Sequence, residues 1–267
     1  MLGGHCLDDL LEVQSIGKSF GAVEVLRNLS FRTSPGEFVS IVGPSGCGKT
    51  TLLQLMAGLT ASDAGKVLFR GAALEQRTPE GVSIVFQDYS RSLFPWLRNL
   101  DNVVFGMRRR TGLKSSEHRD VAAELLVSVG LKGFENHYPW QLSGGMQQRV
   151  AIARSLAADP ALLLLDEPLA AVDAQTRADI QDLLLDIARR TSRTCILVTH
   201  DVDEAIYMAD RVVVLSNRPT CVLEDIATPL GNQRDQIVTR ESTEFLEIRH
   251  RVLSRIRELR RQAVAAS

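Results

Sequence analysis

Runs of apolar residues mark several short segments of this chain of 267 residues. They occupy residues 38–42, 161–165, 194–199 and 211–215, and they predict strands bounded by polar turns. The run at 162–165 is continuous, which suits a parallel strand buried on both faces. Residues 13–34 alternate enough to predict antiparallel strands, whereas residues 89 to about 157 favour helices. The pattern therefore predicts an α/β fold with an antiparallel β part and a separate helical part.

The segment at residues 43–50 carries the strongest chemical signal. It reads Gly-Pro-Ser-Gly-Cys-Gly-Lys-Thr, which matches the P-loop pattern, and it lies between the strand at 38–42 and a helix-like run at 51–58. The glycines allow the backbone to wrap an anion, and the helix N-terminus points amides at phosphates. Lys49 is expected to reach the β- and γ-phosphates of a nucleotide, and the Thr50 hydroxyl to ligate Mg²⁺. The predicted nucleotide contacts here are Gly43, Pro44, Ser45, Gly46, Cys47, Gly48, Lys49, Thr50 and Thr51.

Two acids follow the apolar run at 162–165. Asp166 and Glu167 fall at the carboxyl end of the predicted strand, where α/β sheets place their ligands. Asp166 is expected to hold Mg²⁺ through water, as a Walker B aspartate does, and Glu167 to act as the general base on the attacking water. A buried strand that ends at an acidic surface turn is the alternative, and the P-loop upstream disfavours it.

A third motif precedes this strand. Residues 142–149 read Leu-Ser-Gly-Gly-Met-Gln-Gln-Arg, in which Ser143 is a predicted helix N-cap and Gly144 and Gly145 expose backbone amides. Here the chain resembles the ATP-binding-cassette (ABC) ATPases, whose signature is Leu-Ser-Gly-Gly-Gln; Met146 replaces the final glutamine. The resemblance implies a P-loop NTPase (RecA-like) core with an antiparallel β subdomain and a helical lid subdomain. It also implies a homodimer, in which Ser143, Gly144 and Gly145 bind the ATP held by the partner's P-loop.

The remaining family motifs follow in order over residues 11–219. Phe20 matches the aromatic residue that stacks on adenine, with a strand-end core residue as its alternative. Gln87 matches the Q-loop glutamine that contacts Mg²⁺, and Asp173 matches the D-loop. His200 matches the histidine that contacts the γ-phosphate. The resemblance thus implies ATP and Mg²⁺ as cofactors, Glu167, His200, Gln87 and Lys49 as catalytic residues, and Thr50, Gln87 and Asp166 as metal ligands.

Composition narrows the possible partners. Lys and Arg total 31 and Asp and Glu 32, so the net charge of −1 gives no general attraction to nucleic acid. No stretch approaches the roughly 18 apolar residues of a membrane span, and residues 1–10 do not resemble a signal peptide. The four cysteines lack CxxC spacing, which favours reduced thiols over a disulfide frame or a zinc site.

Within the family, the chain looks like the nitrate, sulfonate and taurine importer branch. The shared segments are residues 199–205, 209–216 and 94–97, and the pair Arg218 and Pro219. This resemblance implies an ATPase for uptake of a small anion, at the cytoplasmic face of the membrane. It implies a transmembrane permease as partner and a periplasmic solute-binding protein as an indirect one. A soluble ABC ATPase with no transport role, or another P-loop enzyme such as a nucleotide kinase or GTPase, is the alternative.

Domain boundaries follow from the same pattern. Residues 1–10 are expected to be a tail, 11–235 the ATPase domain with its helical subdomain at about 89–157, and 236–267 a helical extension. In residues 241–265, Phe245, Ile248, Val252, Ile256 and Leu259 recur at helical spacing, and arginines crowd the remaining positions. The interpretation favoured is a helix packed on the domain with a solvated basic face, ahead of contact with anionic lipid or a regulatory partner.

Two local hypotheses remain open. Cys47 lies near a helix N-terminus and Lys49, a setting that lowers a thiol pKa, and the alternative interpretation is a small filler residue. Phe94 and Trp96, between Arg91 and Arg98, suggest a docking surface after the Q-loop, where the family places the groove for the permease's coupling helix. Their alternative role is to fill the core between lid and nucleotide domain.

Overall fold

The structure is a computed structural model that describes residues 9–88, 92–109, 114, 116–170 and 172–265. Most of the predicted tail at 1–10, and Arg91 of the predicted docking segment, lie outside the described residues. The strands are β1 (Leu11–Phe20), β2 (Val23–Thr33), β3 (Phe38–Val42), β4 (Ala64–Phe69), β5 (Ala72–Ala73), β6 (Val82–Val85), β7 (Leu162–Asp166), β8 (Thr194–Val198), β9 (Arg211–Leu215) and β10 (Val222–Ala227). The α-helices are α1 (Lys49–Met56), α2 (Asn99–Gly106), α3 (His118–Ser128), α4 (Gly144–Ala157), α5 (Ala174–Arg190), α6 (Val202–Met208), α7 (Val238–Glu241) and α8 (Thr243–Ala265).

The chain divides into two compact units, residues 1–79 with 188–267, and residues 80–187. In the first unit, the antiparallel strands have the order β2–β1–β4–β5, as the alternation in 13–34 predicts. A second group has the order β10–β9–β3–β8, in which β3 runs parallel to both β8 and β9. All five residues of β3 are buried, as are those of β8, because helices and loops cover both faces of a parallel strand.

The second unit contains the parallel pair β6 and β7, registered from Val82 opposite Leu162 to Val85 opposite Leu165. Helices α2, α3 and α4 pack against one another beside it, so the predicted helical region at 89–157 falls within this unit. Gly106 on α2 allows the closest approach: a Cβ there would lie 2.2 Å from the carbonyl oxygen of Arg154 on α4. The helical region is thus a packed bundle in which one glycine sets the distance between two backbones.

The C-terminal extension differs slightly from expectation. The predicted helix at 241–265 begins instead at Thr243, because Ser242 adopts an extended conformation that separates it from the short α7. The Ser242 hydroxyl oxygen accepts from the Phe245 backbone N–H at 3.3 Å and so caps the new helix. Of the predicted apolar face, Phe245, Val252, Ile256 and Leu259 are buried and Ile248 is half-buried, so α8 packs on its own unit along this face.

Candidate nucleotide site

The P-loop forms the first part of the site. Lys49 is buried, and its Nζ donates to the carbonyl oxygens of Gly43 and Pro44, at 3.0 Å each. Ser45 and Thr50 are exposed around it. The side chain of the lysine is therefore held by the loop itself, with a positive charge at the centre of the cradle, which fits a polyphosphate.

Steric crowding explains two of the loop glycines. Gly48 has φ of 115°, and a Cβ there would lie 2.6 Å from Cγ1 of Val25. A Cβ at Gly43 would lie 3.0 Å from the Leu215 Cβ and 3.2 Å from the Cys47 Sγ. Any side chain at either position would push the loop away from the strands behind it, so both glycines keep the cradle in place.

Cys47 contradicts the hypothesis of a reactive thiol. Its side chain is 2% exposed, and burial raises its pKa, an effect that outweighs the opposing charge of Lys49. The Cys47 carbonyl oxygen accepts from the Thr220 hydroxyl, which holds the loop from behind. The prediction of a lowered pKa was therefore wrong, and the structure supports the alternative of a small filler residue.

Phe20 lies at the end of β1 with 52% of its surface exposed. It is therefore not a core residue, which was the alternative to an adenine contact. The Lys18 Nζ lies 5.5 Å from the centre of its ring and 2.8 Å from Asp63 Oδ1. A flat ring held at a strand end and open to solvent is suited to stacking on a base.

His200 follows β8 and is exposed. The turn that presents it is tied by Thr199, whose hydroxyl donates to Glu204 Oε2 at 2.5 Å, and by Asp201, which accepts from the Glu204 backbone N–H at 3.0 Å. His200 lines a cavity of about 590 Å³ together with Gly43 and Ser45 of the P-loop. His200 and Gly43 are 157 positions apart in the sequence, yet both line this cavity. The structure thus brings the predicted γ-phosphate histidine to the predicted phosphate cradle.

The second unit holds the predicted catalytic acids. Asp166 is buried at the end of β7. Glu167 has φ of 44°, a left-handed conformation that a residue with a side chain seldom adopts. Gln87 Nε2 donates to Glu167 Oε2 at 3.3 Å. The Q-loop glutamine and the predicted base are therefore direct neighbours, and the unusual backbone of Glu167 is the kind of strain that active sites retain.

The signature motif forms the start of α4. Ser143 is the N-cap, and its hydroxyl oxygen accepts from the Met146 backbone N–H at 3.3 Å, as predicted. Because this bond uses the backbone of residue 146, the replacement of glutamine by methionine leaves the cap intact. Ser143 and Gly144 are exposed, whereas a Cβ at Gly145 would lie 2.3 Å from Cγ2 of Thr176. The N-terminus of α4 therefore presents open amides to solvent.

Asp173 caps a helix within its own unit. Its Oδ1 accepts from the Thr176 backbone N–H at 3.0 Å, which caps the first turn of α5. This backbone hydrogen bond, with a second from the Thr176 side chain, lowers the pKa of the exposed carboxyl. These hydrogen bonds thus favour the charged form of the Asp173 carboxylate at the start of α5.

The predicted metal ligands supply oxygen atoms only. Thr50 belongs to the first unit, and Gln87 and Asp166 to the second. In the part of the chain that the structure describes, no group of three or more His, Cys, Asp or Glu side chains could hold a metal. A hydroxyl, an amide oxygen and one carboxylate match the preference of Mg²⁺ for hard ligands completed by water and phosphate oxygens, and they do not fit a zinc site.

Sequence reasoning missed the contribution of α8. His250, Arg257 and Arg260 line the same cavity as Gly43, Ser45 and His200. The amphipathic pattern assigns these arginines to a solvated face, and it carries no signal at His250. Helical spacing predicts which residues of α8 are buried, but it carries no information on which part of the fold its polar face meets.

Together, the loop that encloses Lys49, the Gln87–Glu167 pair and the capped signature helix define an ATPase of the P-loop NTPase class. The family description "ABC transporter" matches residues 26–170. The taurine import ATP-binding protein TauB of Escherichia coli K12 is 41% identical over 258 residues, which cover 94% of this chain and 98% of TauB. The aliphatic sulfonates import ATP-binding protein SsuB of Bacillus cereus is 42% identical over 236 residues, 88% of this chain and 90% of SsuB.

Solved structures agree. A dimeric ATP-binding cassette in a post-hydrolysis state with ADP and Pi has a TM-score of 0.72 at 32% identity, covering 82% of this chain and 98% of that one. The cbiO1 protein of Clostridium perfringens, part of an ABC transporter complex, has a TM-score of 0.76 at 28% identity, with 95% and 99% covered. The chain belongs to the ABC transporter family, and it binds and hydrolyses ATP. Among its described residues, no helix is long and apolar enough to cross a membrane.

Proposed function

We propose that this chain powers the import of a small anionic solute, of the sulfonate, taurine or nitrate kind. It is the nucleotide-binding subunit of an ABC importer and works as a homodimer at the cytoplasmic face of the membrane, beneath a transmembrane permease. A periplasmic solute-binding protein delivers the solute to that permease. The observation that carries the proposal is the exposed signature N-terminus at Ser143 in a chain that also has a complete P-loop. Similarity to taurine and sulfonate import ATP-binding proteins over most of the chain supports the solute class.

Mg²⁺ would be held by the Thr50 hydroxyl, by Gln87 and, through water, by Asp166. The ion would supply positive charge against the phosphates of ATP. Lys49 adds a fixed positive charge at the centre of the loop. Because its side chain is buried and water screens it poorly, the attraction between this charge and the phosphates is stronger. Phe20 stacks on the adenine ring.

Glu167 orients the attacking water and accepts its proton. Its carboxylate accepts a hydrogen bond from Gln87 at 3.3 Å, so a movement of the Q-loop would act directly on the base. His200 contacts the γ-phosphate, and the hydrogen bonds of Thr199 and Asp201 fix the turn that presents it.

The dimer is tested best at Ser143. The partner's γ-phosphate would meet the exposed N-terminus of α4, which favours an anion through its amides. Ser143→Asp keeps a good N-cap but places a carboxylate against the phosphate, and Ser143→Asn keeps the same cap and size without the charge. Substitution of Gly145 is less informative, because any side chain there meets Thr176 within its own chain.

We expect the Ser143→Asp chain to bind ATP as a monomer and to form no ATP-bound dimer in size-exclusion chromatography, whereas Ser143→Asn dimerises. When Ser143→Asp is mixed with Lys49→Ala, one site of a mixed dimer has both defects and the other has neither. That mixture should therefore recover part of the ATPase activity that each variant lacks alone. Loss of ATP binding by the Ser143→Asp monomer would contradict the arrangement in trans.

The permease would dock beside the Q-loop. A cavity of about 760 Å³ lies entirely within the second unit and is lined by Phe86, Phe94 and Phe105. The Phe94 and Phe105 rings meet edge-on at 4.6 Å, and Trp96 lies beside Phe94 with 71% of its surface exposed. Trp96 therefore does not fill a core, and an exposed aromatic residue at the edge of an aromatic groove suits a docking surface.

Affinity purification from detergent-solubilised membranes of the native host tests this role. With the Glu167→Gln chain and MgATP, we expect a multi-spanning membrane protein to copurify. Trp96→Ala should lose it, while Leu246→Ala, an exposed apolar residue elsewhere in the fold, should retain it. Recovery of the chain only from the soluble fraction, with no membrane partner, would favour the soluble ABC ATPase. Uptake of taurine and nitrate by cells that lack the gene would then separate the solute classes.

A further inference from the structure

The α8 wall of the cavity beside the P-loop is the feature that the ATPase role leaves unexplained. The cavity has a volume of about 590 Å³ and lies wholly in the first unit. Its polar wall consists of Ser45, His200, His250, Ser254, Arg257 and Arg260, and among the described residues no aspartate or glutamate lines it. A cavity with two arginines and two histidines but no acid is suited to an anion.

The position of α8 above the P-loop is fixed along its length. Phe245, Val252 and Leu259 bury their side chains against the unit. Asn217 Nδ2 donates to the carbonyl oxygen of Leu259 at 2.7 Å, which ties the helix one residue before Arg260. The helix is therefore a fixed wall of the cavity and not a loosely attached end.

Ion pairs divide the arginines of α8 into two sets. Arg249 pairs with Asp203 at 2.5 Å, and Arg251 and Arg255 pair with the two carboxylate oxygens of Glu224 at 2.8 and 3.3 Å. These pairs hold the outer face of the helix on α6 and β10. Among the residues that the structure describes, neither Arg257 nor Arg260 has a carboxylate within 4 Å, and both line the cavity. Among the described α8 arginines with no carboxylate within 4 Å, Arg257 and Arg260 thus line the cavity beside the phosphate cradle, whereas Arg261 is exposed and does not line it.

We infer that Arg257 and Arg260 contact the terminal phosphate of ATP held on the P-loop of their own chain. This inference rests on the proposed role of that loop in binding ATP. Ser45 and His200 share the cavity with the two arginines, so a phosphate beyond the β position would extend towards α8. Guanidinium groups bind phosphate oxygens in a fork-like geometry, and these two would distinguish ATP from ADP. The C-terminal helix would then act as a sensor of the nucleotide state.

Binding of MgATP and MgADP to the full-length Glu167→Gln chain tests the inference, with the dimer fraction followed by light scattering. The double variant Arg257→Gln/Arg260→Gln should weaken ATP binding about tenfold or more while ADP binding changes less than about twofold, because only ATP has the third phosphate. Arg261→Gln removes an exposed arginine that is not among the residues lining this cavity, and it should match the unsubstituted chain. Lysine at both positions should restore part of the preference for ATP.

Three results would overturn the inference. The first is an equal loss of ATP and ADP affinity, or no loss, in the double variant with an unchanged melting temperature. The second is tighter ATP binding or faster hydrolysis without the arginines, which would make α8 an obstruction. The third is a double variant that binds ATP with unchanged affinity but no longer binds inorganic phosphate in the presence of ADP. That result would assign the cavity to a free anion. Lys49→Ala separates this inference from the proposed function: if that variant bound ATP normally, the P-loop assignment itself would fail.

Discussion

Gly145→Ala probes the packing of the signature helix on the helix that follows Glu167. An added Cβ would lie 2.3 Å from Cγ2 of Thr176, more than about 1 Å closer than ordinary contact between carbon atoms. Such overpacking costs about 1–3 kcal/mol of unfolding free energy. Alanine is a better helix former than glycine by up to about 1 kcal/mol, so the net loss should be about 0–3 kcal/mol.

Thr176→Ser removes the obstructing methyl group but keeps the hydroxyl that supports Asp173. In the Thr176→Ser chain, Gly145→Ala should therefore be neutral or slightly stabilising. Urea unfolding of the four chains gives the coupling free energy of the double-mutant cycle, which we expect to be about 1–3 kcal/mol. Thr176→Ser alone should cost less than about 1 kcal/mol, because serine retains the polar contact.

The same cycle has a functional consequence. If Gly145→Ala fails to dimerise on ATP only because α4 has shifted, the second substitution should restore the dimer. Additive effects of the two substitutions, with a coupling energy near zero, would refute the reasoning and show that Thr176 rotates away without cost.

Three further outcomes are expected. The Glu167→Gln chain should bind ATP normally, hydrolyse it at least about a hundredfold more slowly and accumulate an ATP-bound dimer. Near-normal turnover of this variant in the assembled transporter would rule out Glu167 as the base. Cys47 should resist thiol reagents in the native chain, because burial raises its pKa, and peptide mapping should find it labelled only after unfolding or, more slowly, as the pH rises. Trp96→Ala should cost less than about 2 kcal/mol of stability, against about 3–5 kcal/mol for a buried tryptophan. It should nevertheless abolish permease association and solute uptake. If the complex forms intact, Trp96 is not a docking anchor.

The sequence by itself determined the elements that local chemistry defines. The run at 38–42 and the glycines after it predicted β3 and the P-loop, because a buried parallel strand must be apolar throughout and the loop requires glycine. The apolar spacing of Phe245, Val252, Ile256 and Leu259 likewise predicted the buried face of α8. The motif residues were also predicted individually, because each motif spans only a few consecutive residues.

Tertiary structure decided what depends on residues far apart in the sequence. Cys47 has a helix N-terminus and a lysine nearby in sequence, which favour a reactive thiol, but its burial by distant parts of the fold reverses the direction of its pKa shift. The contact of Gln87 with Glu167 joins residues 80 positions apart. Likewise, the amphipathic pattern of α8 predicted a packed helix, and only the folded chain placed Arg257 and Arg260 beside the P-loop. A periodic pattern specifies which face of a helix is buried, whereas the surroundings of its polar face are set by long-range packing.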